Sequence, residues 1–62
     1  MKDTIKVWRV RKGLTQEQLA KKMGVSTPTI HYWENGTTMP SGKNLQMLAS
    51  VFGISADDII LP

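Results

Sequence analysis

The sequence predicts an all-α chain folded as a compact five-helix bundle, and two recurring features carry that prediction. Three segments open with an apolar residue, a Ser or Thr, and a second apolar residue four positions later: Leu14-Thr15 with Leu19, Val25-Ser26 with Ile30, and Ile54-Ser55 with Ile59. In each, the hydroxyl can cap the free N–H groups of a helix start while the flanking apolar pair staples the entering chain. Glycines at positions 13, 24, 36 and 53 stand where a helix would end, glycine being the residue that takes the left-handed C′ conformation at little cost. No strand and no linker is expected, and 62 residues suffice for one domain, 1–62.

The elements follow in order. Residues 3–12, DTIKVWRVRK, place Ile5 and Trp8 on one helical face with Lys2, Lys6 and Lys12 around them, and Gly13 stops the helix. The second helix lies in Leu14 to Met23, where Thr15 and Gln18 form a capping box. Only Val25 and Ser26 separate Gly24 from a third helix that runs to Gly36, so the second and third helices read as a helix-turn-helix over about residues 15–35. Pro28 falls at the second helical position, where its missing N–H costs nothing, and the cap bond from Ser26 must therefore go to the Thr29 N–H. At ~100° per residue, Ile30 and Trp33 share the inner face with Glu34 nearby, while Pro28, Tyr32 and Asn35 face the other way, flanked by His31. A loop from Thr37 to Pro40 precedes Ser41, which caps a fourth helix with the apolar stripe Leu45, Leu48, Ala49 and Phe52, although Gly42 is a weak first residue. After Gly53, Ile54 to Leu61 is expected to form a short fifth helix with Asp57 and Asp58 in its first turn, where the dipole favours anions.

Composition narrows the function. There is no cysteine, hence no disulfide or thiolate metal site. Apolar runs are too short for a membrane span and no leader opens the chain, so a soluble, cytoplasmic protein without a membrane partner is expected. The net charge of +3 is unevenly placed: residues 1–31 carry seven cations against two anions, and the remainder one cation against three anions. A basic half suits a polyanion such as nucleic acid, and equally suits a merely solvated surface.

Beginning at LTQEQLAKKMGVSTPTIHYWENG and continuing through MPS and GISADDII, the chain resembles the lambda-type phage repressor and Cro family of helix-turn-helix regulators, also called the XRE family. The resemblance spans Ile5 to about Leu61 and implies a lambda-repressor-like DNA-binding domain, with the third helix in the major groove of double-stranded DNA and the second helix starting at the backbone. It places Gln16 where family members bond a phosphate or brace a base-reading side chain, Thr27, Pro28 and Tyr32 at base-reading positions with Ser26 and His31 beside them, and Asn35 at a backbone contact. Lys43 comes near the phosphate path, and Arg9 of the first helix pairs with Glu34 in a buried, structural ion pair. It further implies a homodimer on a near-palindromic operator, as in a small phage or prophage regulator in a bacterial host. One departure matters: Thr, Pro and Tyr replace the Gln, Asn or Arg that make bidentate bonds to bases, so readout should lean on apolar contacts and DNA shape.

Each residue also has a plainer reading. His31 is the sole histidine, with no companions for a metal site or a catalytic group, so neither a cofactor nor an enzyme is expected. Trp8 and Trp33 align with apolar faces and belong in the core. Tyr32 can face the groove or pack sideways, and Glu34 can be a solvated glutamate. The rival function is a protein-interaction module, such as an antitoxin or the target of an antirepressor, using an apolar patch of Met39, Met47, Ile60 and Leu61. No effector domain is expected within this length, which leaves regulation to abundance, promoter competition or a protein partner.

Overall fold

A computed structural model describes all 62 residues. Four helices, α1 (Ile5–Arg11), α2 (Gln16–Met23), α3 (Thr27–Asn35) and α4 (Gly42–Phe52), lie between two short strands, β1 (Asp3–Thr4) and β2 (Ile59–Ile60). The joints are built from three triplets, Gly13-Leu14-Thr15, Gly24-Val25-Ser26 and Gly53-Ile54-Ser55, each of which both ends one element and begins the next. Gly24, at φ +70°, turns the chain, its N–H donating to the Lys21 carbonyl and that of Val25 to the Ala20 carbonyl. This pair of bonds closes the helix end, and the apolar residue that follows lands on the core. Leu14, Val25 and Ile54 all do so, half-buried, and the adjacent hydroxyl then caps the next element. The capping box of Thr15 and Gln18 is complete, at 3.0 and 2.9 Å. Ser26 Oγ accepts from Thr29 N at 3.3 Å, as the position of Pro28 requires.

These joints direct one stripe of each helix inward. Ile5 and Trp8 of α1, Leu19, Ala20 and Met23 of α2, Ile30 and Trp33 of α3, and Leu48 and Phe52 of α4 form a continuous buried cluster. Each helix therefore loses freedom to rotate about its own axis, which fixes what its outer face presents. None is long and apolar enough to cross a membrane.

The expected all-α, lambda-repressor-like bundle is present, with corrections at both ends. There are four α-helices, not five, and two strands where none was expected. Ala56–Asp58 makes a single 3-10 turn, capped by Ser55 and closed by the Asp58 carboxylate on Ser55 N at 3.3 Å. The Asp58 carbonyl then accepts the Trp8 indole N–H at 2.9 Å. A continuing α-helix would offer that carbonyl the N–H of residue 62, but Pro62 has none. The β-branched Ile59 and Ile60 extend instead and pair in parallel with β1, Asp3 opposite Ile59 and Thr4 opposite Ile60. The first helix begins at Ile5, two residues later than expected, because Thr4 caps it through Val7 N at 3.2 Å. Of the expected apolar patch, Met39, Met47 and Ile60 are exposed, whereas Leu61 is half-buried against the core.

Candidate nucleic-acid interface

The burial of Ile30 and Trp33 leaves the opposite side of α3 to solvent. Pro28, His31, Tyr32 and Asn35 are exposed there, Tyr32 by 44%, and Thr27 is half-buried at the first helical position. The rings of His31 and Tyr32 stand 6.0 Å apart at 54°, side by side and not stacked. Tyr32 thus faces outward and does not fold sideways into the bundle.

What holds this face at a fixed angle is a polar link joining three helices. Arg9 Nε donates to Glu34 Oε2 at 2.6 Å and Nη2 to Oε1 at 3.3 Å, with side-chain exposures of only 11% and 5%. The remaining arginine amine, Nη1, donates to the Leu14 carbonyl at 2.8 Å, which ties α1 to the joint before α2. From α2, Gln16 Nε2 reaches Glu34 Oε1 at 3.0 Å. Glu34 sits in the last turn of α3, where the helix dipole disfavours an anion, so the two donors offset an otherwise costly placement. The expected Arg9–Glu34 pair is thus formed. Gln16 is attached to the same carboxylate, a bond that the sequence did not suggest.

The end of α3 carries a second cluster. Asn35 Oδ1 accepts from Thr37 N at 2.9 Å and from Thr37 Oγ1 at 2.6 Å, an Asx turn over Gly36. Its amide nitrogen lies 3.4 Å from His31 Nε2, one helical turn earlier. Ser26 Oγ and Thr29 Oγ1 share a hydrogen at 2.8 Å, so the cap hydroxyl is already engaged within the helix start. Thr29 is the polar residue missing from the expected site. The spacing of Asn35 to Thr37 is a readable Asx-turn signal, and that of Ser26 to Thr29 matches a cap hydroxyl meeting a second hydroxyl at the third helical position.

Placement of the other candidates is less convergent. Gln16 is the first residue of α2 and Ser26 the cap of α3, both at helix starts. Lys43, second residue of α4, is exposed and makes no hydrogen bond or ion pair with the rest. The basic half is also less basic in space than in sequence. Arg9 is neutralised by Glu34, and Arg11 by Asp3 at 2.7 Å while it lies 5.1 Å above the Trp8 ring. Lys2, Lys6, Lys12, Lys21, Lys22 and Lys43 are exposed and unpaired, and they supply the free positive charge.

Comparison with known proteins agrees with this geometry. Residues 5–59 match a family model described as helix-turn-helix. An HTH-type transcriptional regulator of Methanocaldococcus jannaschii is 44% identical over 61 residues, 98% of this chain and 92% of that protein. The HTH-type transcriptional regulator YazB of Bacillus subtilis is 40% identical over 58 residues, 94% of this chain and 84% of that protein. The crystal structure of a hypothetical transcription factor from Neisseria superposes with a TM-score of 0.84 at 28% identity, covering 94% of this chain. This chain spans 65% of the length of that one.

Proposed function

The chain belongs to the Cro/C1-type helix-turn-helix family of transcriptional regulators, which are not enzymes, and on that premise we propose that it binds a near-palindromic operator in double-stranded DNA as a homodimer. One observation carries this reading: the outward face of α3 has no duty in the core, yet its angle is fixed by the Arg9–Glu34–Gln16 link. A rigid helix with a free polar and aromatic face is what major-groove readout needs. Thr27, Pro28 and Tyr32 read the bases by methyl, ring and single-hydroxyl contacts, with Ser26 and His31 beside them. Gln16, Asn35 and Lys43 meet the phosphates, and the six free lysines supply the long-range attraction.

Exposed Met39, Met47 and Ile60 are available for pairing two protomers, which would set half-sites about one helical turn apart. The protein then works in the cytoplasm by occupying an operator, in the manner of a phage or prophage regulator. Selection of bound sequences from random duplexes tests the reading, and an enriched two-fold motif with steeply salt-dependent affinity is expected. Absence of DNA binding at low salt, together with a stoichiometric protein partner retained at high salt, would replace it with an interaction module such as an antitoxin.

A further inference from the structure

The orientation of the Asn35 amide is settled by its neighbours. A backbone N–H, that of Thr37, can only donate, so the atom it meets at 2.9 Å is the amide oxygen and the atom turned toward His31 is the NH2 group. His31 Nε2, 3.4 Å away, can then interact favourably only as an acceptor. This contact favours the neutral tautomer protonated on Nδ1. An imidazolium at the same place would set one donor against another, and its Nε2–H would turn outward, away from Asn35.

Resting on the DNA-binding reading above, we infer that His31 is a proton-linked positioning residue: neutral, it engages one N–H of the Asn35 amide, and protonated, it releases that N–H and presents a cation to the phosphate backbone, the Asx turn being kept by Thr37 in both states. Both changes favour DNA, since a freed NH2 group and an outward N–H⁺ are each phosphate donors. Apart from Asn35, no side chain makes a hydrogen bond or ion pair with the ring. On α3, Glu34 is held by Arg9 and Gln16, and the Tyr32 ring stands 6.0 Å away, tilted at 54°. On the helices packed against α3, Arg11 is held by Asp3, and Lys6, Glu17, Lys21 and Lys22 form no ion pair with the ring; nor does Lys43 of α4. The sign follows directly: DNA binds the protonated form better, protons are taken up on binding, and affinity rises as pH falls.

The test has a free-protein arm and a DNA arm. Nitrogen-15 NMR of the His31 ring at about pH 8, where imidazole is neutral, should show the Nδ1–H tautomer in the wild type and a shift toward Nε2–H in Asn35→Ala; a predominant Nε2–H tautomer in the wild type would overturn the positioning. With a mixed-sequence duplex of more than two helical turns, affinity measured by anisotropy should rise roughly three- to tenfold from about pH 8 to about pH 5.5. The log-log salt slope should steepen by about 1.8 over the same interval, one further phosphate contact from each protomer of the dimer. His31→Gln, which keeps a side-chain acceptor but no titrating group, should lose both changes. A wild type that binds DNA with flat pH dependence, or a His31→Gln variant with the wild-type dependence, refutes this inference and leaves the DNA reading standing. No DNA binding at either pH refutes both.

Discussion

Replacing Glu34 by Ala should remove a large fraction of this protein's stability, and the size of the loss follows from what the carboxylate holds. Three arginine nitrogens are committed, two to Glu34 at 2.6 and 3.3 Å and one to the Leu14 carbonyl at 2.8 Å. Removing the carboxylate strands a guanidinium whose side chain is only 11% exposed. Such a loss typically costs about 3–5 kcal/mol. Arg9 keeps the Leu14 carbonyl and some access to water, which places the expectation near the lower end, about 3 kcal/mol. A domain of this length has about 3–9 kcal/mol in total, so Tm should fall by about 12–24 °C. Thermal and urea unfolding, followed by circular dichroism and by the fluorescence of Trp8 and Trp33, measure this. The double variant Arg9→Met/Glu34→Leu buries no charge and should regain most of the loss. A Glu34→Ala variant within about 1 kcal/mol of wild type, or a double variant as unstable as the single one, would refute the account of the link as a buried pair.

Four further outcomes are expected. Gly24→Ala should cost about 1–2 kcal/mol for its left-handed backbone alone, because nothing lies within 4 Å of the added Cβ. Gly36→Ala should cost more, since its Cβ would sit 3.2 Å from Pro62 Cγ; removing Pro62 in that variant should return the loss to the Gly24→Ala value, and equal losses from the start would mean that Pro62 exerts no pressure there. Tyr32→Ala should weaken operator binding by about 1–3 kcal/mol and relax sequence preference; equal losses on selected and random duplexes would deny it a base contact. Gln16→Ala should weaken binding to both duplexes and lower stability by about 1 kcal/mol through the lost bond to Glu34, with unchanged affinity on both sinking its phosphate role.

Local rules made much of this fold readable. Capping is decided within four residues, so Thr15, Ser26 and Ser41 were assignable without knowing the tertiary structure. The inward stripe of each helix follows from its period, which is why Trp8 and Trp33 fall in the core as expected. The last segment defeats the same rules. Ile54-Ser55 followed by Ile59 opens like a helix, yet a partner fifty residues away, the Trp8 indole, takes the Asp58 carbonyl and the chain leaves as a strand. No local signal announces that bond. At the candidate interface, helical period gives the outward face of α3 and family resemblance gives the Arg9–Glu34 pairing. The attachment of Gln16 to Glu34 depends on how closely α2 and α3 approach, which spacing along the chain does not encode. The contact between Asn35 and His31 lies between these cases, since residues four apart on a helix are neighbours, but only Thr37 fixes which amide atom faces the ring.

The parallel pairing of β1 with β2 has a consequence for how the chain is assembled. Parallel strands require a crossover between them, and here everything from Ile5 to Asp58 is that crossover. Closing a flexible loop of this span costs about 3.5 kcal/mol in chain entropy before any constant is added. Two residue pairs, the Trp8–Asp58 bond and the exposed Met1 ammonium 3.6 Å from Asp58 are a small return for that cost. The ends can therefore meet cheaply only after the four helices have already brought them together. The strand pair is thus a clasp whose two halves the helices that carry the recognition face bring together.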